Sequence, residues 1–191
     1  MELSPLTAIS PIDGRYADKT RELRVFFSEF ALIRNRTLIE IRWLQTLAEI
    51  AEIPEITPLS ETAVDFLNHI HNQFTEEDAK KIKTIERSIN HDIKAVEYFL
   101  KEKVQSNAEL KKISEFFHFA CTSDDINNVA YALMLQTVRK ESLLPIMDDI
   151  IHSLADMAHH YAEQPMLGRT HGQAATPTTV GKEIANYVMR L

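Results

Sequence analysis

The sequence predicts an all-α fold, and three observations predict it. Only 4 of the 191 residues are glycine, while Ala, Leu, Ile and Glu are plentiful, a balance that favours helix. Apolar residues recur at spacings of three and four along most of the chain. Two of those runs open on Thr followed three residues later by Asp, a variant of the capping box. At 45% hydrophobic the chain can bury a sizeable core, and its length suits one compact domain or part of a larger one.

Residues 1–19 show no helical period. Ser10-Pro11-Ile12-Asp13-Gly14-Arg15-Tyr16 carries turn chemistry, because Pro fixes φ and Asp-Gly favours a turn. A long amphipathic helix, with a break near its start, is expected over about 20–51 through Phe26, Phe30, Ile33, Ile41, Leu44 and Leu47. Arg34, Arg36 and Arg42 lie among these, and Trp43 reads as packing rather than a stacking platform. Pro54 and Pro58 mark a loop. Ser60 caps a helix carrying Val64, Leu67, Ile70 and Phe74, and Thr75 caps another that runs to about Ser88. Asn90 is expected as the N-cap of the next helix, with His91 in its first turn. Ser106-Asn107 interrupts, Ile113 to Phe119 form an apolar cluster, and Thr122 with Asp125 opens a further helix.

That last pattern runs from Val129 through Met134, Leu143, Met147, Ile150 and Met157 to Ala158. Its Met and Leu stripe reads as core, and Pro145 kinks it or starts a second helix. Leu167 to Gln173 reads as a polar loop, and Thr176-Pro177 as an N-cap followed by Pro at the first helical position. The final helix is still in phase at Leu191, which implies a longer parent chain. No strand-rich region, repeat or low-complexity tract is expected.

Composition bounds the function. The formal charge of −7 argues against general nucleic-acid binding, which needs a basic face. One cysteine, Cys121, rules out an intrachain disulfide and suits a reducing, cytoplasmic setting. No apolar run approaches the roughly 20 residues of a membrane span, and the N-terminus lacks a signal-peptide pattern. His69 and His71, two apart, diverge on a helix and suggest no metal site.

Four short stretches have residue types suited to chemistry. His171 sits between Gly168 and Gly172, two of the chain's four glycines; it is either a proton donor near neutral pH or an idle loop histidine. Arg15, held by a turn, is suited to fork onto a phosphate or carboxylate, or is simply solvated. His91 lies where a helix N-terminus attracts anions, or is a surface residue beside caps. Thr122 and Ser123 offer hydroxyls to a carboxylate or phosphate, or merely cap, and Asp124 and Asp125 would repel such an anion.

Taken together, these stretches closely resemble the adenylosuccinate lyase family of the fumarase/aspartase superfamily. The resemblance rests on Ser10 to Tyr16, on Thr84-Ile85-Glu86-Arg87 with Asn90-His91-Asp92 through Tyr98, on His118 to Ser123 with Asp125 to Asn128, and on Arg169-Thr170-His171-Gly172-Gln173 with Ala175-Thr176-Pro177. Ala175 stands where a proline is common. The resemblance implies an N-terminal helical domain over 1–112 and, over 113–191, the first part of a long helical-bundle domain. It implies β-elimination of fumarate from adenylosuccinate, giving AMP, and from the succinylated aminoimidazole-carboxamide ribotide of purine synthesis. His171 would be the general acid, and His91 would support acid–base chemistry or hold an anion. Arg15, Tyr16, Asn90, His91, Asp92, Thr122, Ser123 and Thr170 would contact the nucleotide substrate. No metal or organic cofactor is implied.

The family assembles as homotetramers whose sites draw on three subunits. Its serine base, carried on a Gly-Ser-Ser loop, has no counterpart in these residues. The chain alone is therefore expected to be inactive. Two other readings stay open: a non-catalytic helical interaction module on the same scaffold, and a related lyase acting on argininosuccinate or fumarate.

Overall fold

A computed structural model describes residues 4–191. The chain divides into two compact units, Met1–Gln136 and Thr137–Leu191.

In the first unit, turns from Pro5 to Thr20 and a short 3-10 turn lead into α1 (Arg24–Phe27). Ser28 then adopts extended backbone and its hydroxyl accepts from the Ala31 N–H. That cap is the expected break: it ends α1 and starts α2 (Glu29–Leu47). Ser60 caps α3 (Glu61–Asn72). Thr75 and Asp78 form the reciprocal box that opens α4 (Glu76–Ile89). The short α6 (Ala108–Lys112) follows α5 (Asp92–Lys103), and α7 begins at Ser123. Ile41 and Leu44 of α2, Leu67 of α3, Ile82 of α4 and Phe99 and Leu100 of α5 are all fully buried in one core. Each such side chain contributes roughly 1.5–3 kcal/mol on burial.

The connection from α4 to α5 differs from expectation by one role. Asn90 does not cap α5. It ends α4 in the left-handed region, with φ 55° and ψ 40°, where asparagine is better tolerated than most residues. His91 takes the capping position instead, its Nδ1 accepting from the Lys94 N–H at 3.2 Å. His91 thus precedes the first turn rather than lying in it.

In the second unit, α8 (Leu144–His160) follows a π-helical turn over Arg139–Leu143. Pro145 has no N–H, and its ring would crowd the carbonyl four residues back, so the backbone widens just ahead of it. The next segment is not a plain loop. Pro165–Thr170 (β1) and Gln173–Thr179 (β2) pair antiparallel, and Pro177 lies opposite Leu167. Apart from this hairpin the described residues form no strand, and their regular elements are helical. Thr176-Pro177 therefore starts no helix; Thr179 caps α9 (Val180–Val188) through the Lys182 N–H. The final helix stops at Val188 rather than running through Leu191.

The Met and Leu stripe is not buried core in α8. That helix has no buried residue, and Leu144, Ile146, Ile150 and Met157 are 43–53% exposed. The backbones of α8 and α9 approach closely at Gly181, where an added Cβ would stand 2.2 Å from the Ala158 carbonyl oxygen. Among the described residues, no helix is long and apolar enough to cross a membrane.

Candidate active site

The turn holding Arg15 is built on Gly14. Its N–H bonds to the Ser10 carbonyl at 3.0 Å, and the Tyr16 N–H bonds to the Pro11 carbonyl at 2.9 Å. A side chain at Gly14 would meet the Pro5 carbonyl oxygen at 3.0 Å. The tight turn leaves Arg15 and Tyr16 exposed side by side, the guanidinium 5.8 Å from the Tyr16 ring centre.

Asn90, His91 and Asp92 lie together at the α4–α5 junction. With Glu86 and Arg87 they line an open hollow of about 460 Å³. Because His91 Nδ1 accepts a backbone N–H, the neutral ring carries its proton on Nε2, the nitrogen left available to a ligand. Asp92 is already engaged. Its Oδ2 takes Arg36 Nη2 at 2.7 Å, and its Oδ1 accepts the Ile93 N–H at 2.8 Å. Burial works to raise the Asp92 pKa, but the Ile93 N–H and the Arg36 charge hold it below the usual carboxylate value.

Thr122 and Ser123 stand at the start of α7 (Ser123–Val138). The Thr122 N–H donates to Asp125 Oδ2 at 2.8 Å, so that carboxylate already occupies one donor an anion would use. The capping reading of Thr122 is thereby met in part by its backbone. Four residues further on, Asn127 Oδ1 accepts from Arg36 Nε at 2.9 Å. Arg36, only 6% exposed, therefore ties Asp92 to Asn127 and brings the second and third stretches together.

The sequence alone assigns no role to Arg36 or Glu40, and His118 enters it only as a residue of the stretch that carries the resemblance. Glu40 is fully buried, and its Oε1 lies 2.7 Å from His118 Nδ1. Burial pushes the Glu40 carboxyl up, against the pull of His118. A signal existed. Residues 33, 37, 40, 41, 44 and 47 share the buried side of α2, so Thr37 and Glu40 are polar residues in core phase. Such placements are rare without a partner.

In the second unit, His171 and Gly172 form the hairpin tip, with φ 51° and 76°. Positive φ at both central residues is the pattern of a type I′ turn. His171 is exposed there, and Thr170 pairs with Gln173 immediately behind it. Arg15, Tyr16, Asn90, His91, Asp92, Thr122 and Ser123 belong to the first unit, and Thr170 and His171 to the second. Among the described residues, no group of three or more His, Cys, Asp or Glu side chains is arranged to hold a metal ion.

Residues 14–191 match the family model described as "Lyase". Over all 191 residues the chain is 56% identical to the adenylosuccinate lyase of Haemophilus influenzae and 55% identical to that of Escherichia coli K12. It spans 42% of the length of these curated relatives. Among solved structures, a fumarate lyase from Mesorhizobium sp. BNC1 aligns with a TM-score of 0.68 at 22% identity, covering 90% of this chain and 37% of that one. A β-carboxy-cis,cis-muconate cycloisomerase from Acinetobacter calcoaceticus aligns with a TM-score of 0.62 at 20% identity, covering 88% and 37%. At these identities the two structures speak to the fold alone.

Proposed function

This chain belongs to the lyase family, and on that premise we propose that it is part of an adenylosuccinate lyase. The observation that carries the proposal is identity above one half, sustained over the whole chain, to relatives that bear that name. The proposed reaction is β-elimination. A base removes a proton beside a carboxylate of the succinyl group, an acid protonates the departing nitrogen, and fumarate leaves. The substrates are adenylosuccinate, giving AMP, and the succinylated aminoimidazole-carboxamide ribotide.

His171 is assigned the acid. An exposed imidazole at a hairpin tip meets a substrate without first breaking a buried contact, and such help is worth about 10²–10⁴ in rate. Arg15 and Tyr16 are assigned to the nucleotide, Arg15 to its phosphate. His91 presents Nε2 to the substrate, and Asn90 lies beside it. Asp92 shapes this segment through Arg36. Thr122 and Ser123 are assigned to the succinyl group, and Thr170 stands next to the acid. The serine base is assigned to sequence outside these residues, and the reading invokes no metal or organic cofactor.

We also assign the whole enzyme to a cytoplasmic homotetramer with shared sites. The exposed apolar face of α8 supports assembly. The division at 112/113 between an N-terminal domain and a bundle domain is part of the same proposal.

The test is adenylosuccinate cleavage by this chain mixed with a full-length adenylosuccinate lyase whose own acid histidine has been changed to Ala. Shared sites allow one chain to lend its acid to another's base. Activity is expected from the mixture and not from either protein alone. A His171→Ala version of this chain should restore about 10²–10⁴-fold less. Equal restoration by both versions would remove His171 from the role.

A further inference from the structure

Three side chains of α2 share one helical face, and each grips the stretch that leads into or through the start of α7. They are Arg36, Glu40 and Trp43, spaced by four and three residues. Arg36 holds Asn127 at 2.9 Å and Asp92 at 2.7 Å. Glu40 Oε1 meets His118 Nδ1 at 2.7 Å. Trp43 Nε1 donates to the Phe119 carbonyl, also at 2.7 Å.

The gripped stretch is not relaxed backbone. His118 and Ala120 both lie in the left-handed region, with φ 61° and 58°. Non-glycine residues persist there only where their surroundings over-determine them. Nor is Glu40 an obvious choice for stability. It is fully buried, and its Oε2 has no hydrogen-bond partner among the described residues. An unsatisfied buried oxygen weakens a fold, and a buried pair exchanged whole for apolar side chains often loses no stability.

We infer that this face of α2 is a positioning element for the active site. It fixes Thr122 and Ser123 at the head of α7 against His91 at the head of α5, so that all three meet the substrate in one arrangement. What is presented to the substrate rests on the proposed function above; how it is held rests on α2. Arg36, Glu40 and Trp43 do not touch substrate in this arrangement. They act through Asp92, His118, Phe119 and Asn127.

The chain carries its own reporter. Cys121 is its one cysteine, partly buried between His118 and Thr122. Its reaction with Ellman's reagent reads the order of the held stretch. Burial raises the Cys121 pKa, and the Glu40 and Asp125 carboxylates raise it further. Removing the Glu40 carboxylate would therefore speed the thiol by charge alone, and two variants separate charge from position. Glu40→Gln loses the charge but keeps an acceptor for His118. Glu40→Met loses both and keeps the bulk.

Glu40→Met is expected to melt lower than Glu40→Gln, because it leaves the His118 ring without its partner; well below either melt, its Cys121 reacts about tenfold faster than that of Glu40→Gln, through local opening. In the mixed assembly Glu40→Met should restore about tenfold less kcat, and Glu40→Gln should recover most of that loss. A merely structural Glu40 would leave the kcat restored per folded chain unchanged once both variants are assayed well below their melts. Equal Cys121 rates in the two variants overturn the inference whether or not activity returns. Unequal rates in chains that restore no activity, the native chain included, support the positioning element and count against the proposed function. Arg36→Lys gives an independent reading, since one ammonium cannot reproduce both grips of the guanidinium fork. A native Cys121 rate in that variant would also overturn the inference.

Discussion

Helices α5 and α8 carry apolar residues at similar helical spacing and use them in opposite ways. In α5, Ile93, Val96, Phe99 and Leu100 are buried, covered by α2 and α4. In α8 nothing is buried, and Leu144, Ile146, Ile150 and Met157 stand exposed. The difference separates two properties that a periodic sequence merges. Spacing states which face of a helix is apolar; it does not state what covers that face. Where the cover lies within the same unit the stripe becomes core. Where it does not, the stripe is a surface with reason to associate.

The largest expected effect tests that contrast directly. Phe99→Ala should cost the chain about 3–5 kcal/mol in urea unfolding. Ile150→Ala should cost under about 1 kcal/mol, because a half-exposed side chain leaves no cavity behind. Equal losses at the two positions would mean that α8 is covered after all. The same Ile150→Ala variant should weaken restored activity in the mixed assembly, if the exposed stripe is where partner chains meet.

Gly181 sharpens the picture within the second unit. An added methyl would stand 2.2 Å from the Ala158 carbonyl oxygen and 2.7 Å from the Ala162 backbone, neither of which can swing aside. Gly181→Ala should therefore push α9 away from α8 and cost about 1–3 kcal/mol, the usual range for overpacking. Thermal melts followed by circular dichroism would show it. An unchanged melt would mean that α9 is loosely seated.

The first unit has a different weakness, set by burial. Burial, with the Arg34 and Arg42 charges adding to it, lowers the His71 pKa from 6.5 to about 4. The unfolded chain takes up that proton first as pH falls, so stability is full above about 6.5 and drains away toward pH 4, by about 3 kcal/mol. Asp92 contributes in a lower window. Its pKa is depressed, so its stabilisation holds above the ordinary carboxylate value and is lost only as pH falls through the folded one. His71→Phe should flatten the dependence between pH 6.5 and 4 and leave the acid limb in place. An unchanged slope would mean that His71 is solvated.

Local chemistry was legible in the sequence. Ser60 and Thr75 cap as their spacing says, and the break near the start of the long helix falls at Ser28. What escaped is tertiary or involves unusual backbone. Asn90 was read as a helix start when its tolerance of positive φ made it a helix end. The hairpin escaped because His171-Gly172 is not one of the dipeptides that usually mark a type I′ turn, and Thr176-Pro177 resembles a helix start until Thr179 supplies a cap of its own. Arg36 meets Asn127 across 91 residues of sequence and Glu40 meets His118 across 78, pairings that no local pattern encodes.

The hairpin tip gives the smallest expected change in stability. His171 has φ 51°, a region that costs an L-residue of this kind about 1 kcal/mol and that asparagine occupies more readily. Asn-Gly is a preferred type I′ pair, so His171→Asn should tighten the hairpin by up to about 1 kcal/mol. Slower hydrogen exchange at the paired Thr170 and Gln173 would report it. The same variant should lose the acid and restore activity no better than His171→Ala. Gain in the turn together with loss of activity would mean that the histidine is kept for its proton and against the preference of its backbone. A turn no tighter with asparagine would mean that the tip is unstrained, and that argument for a functional His171 would go.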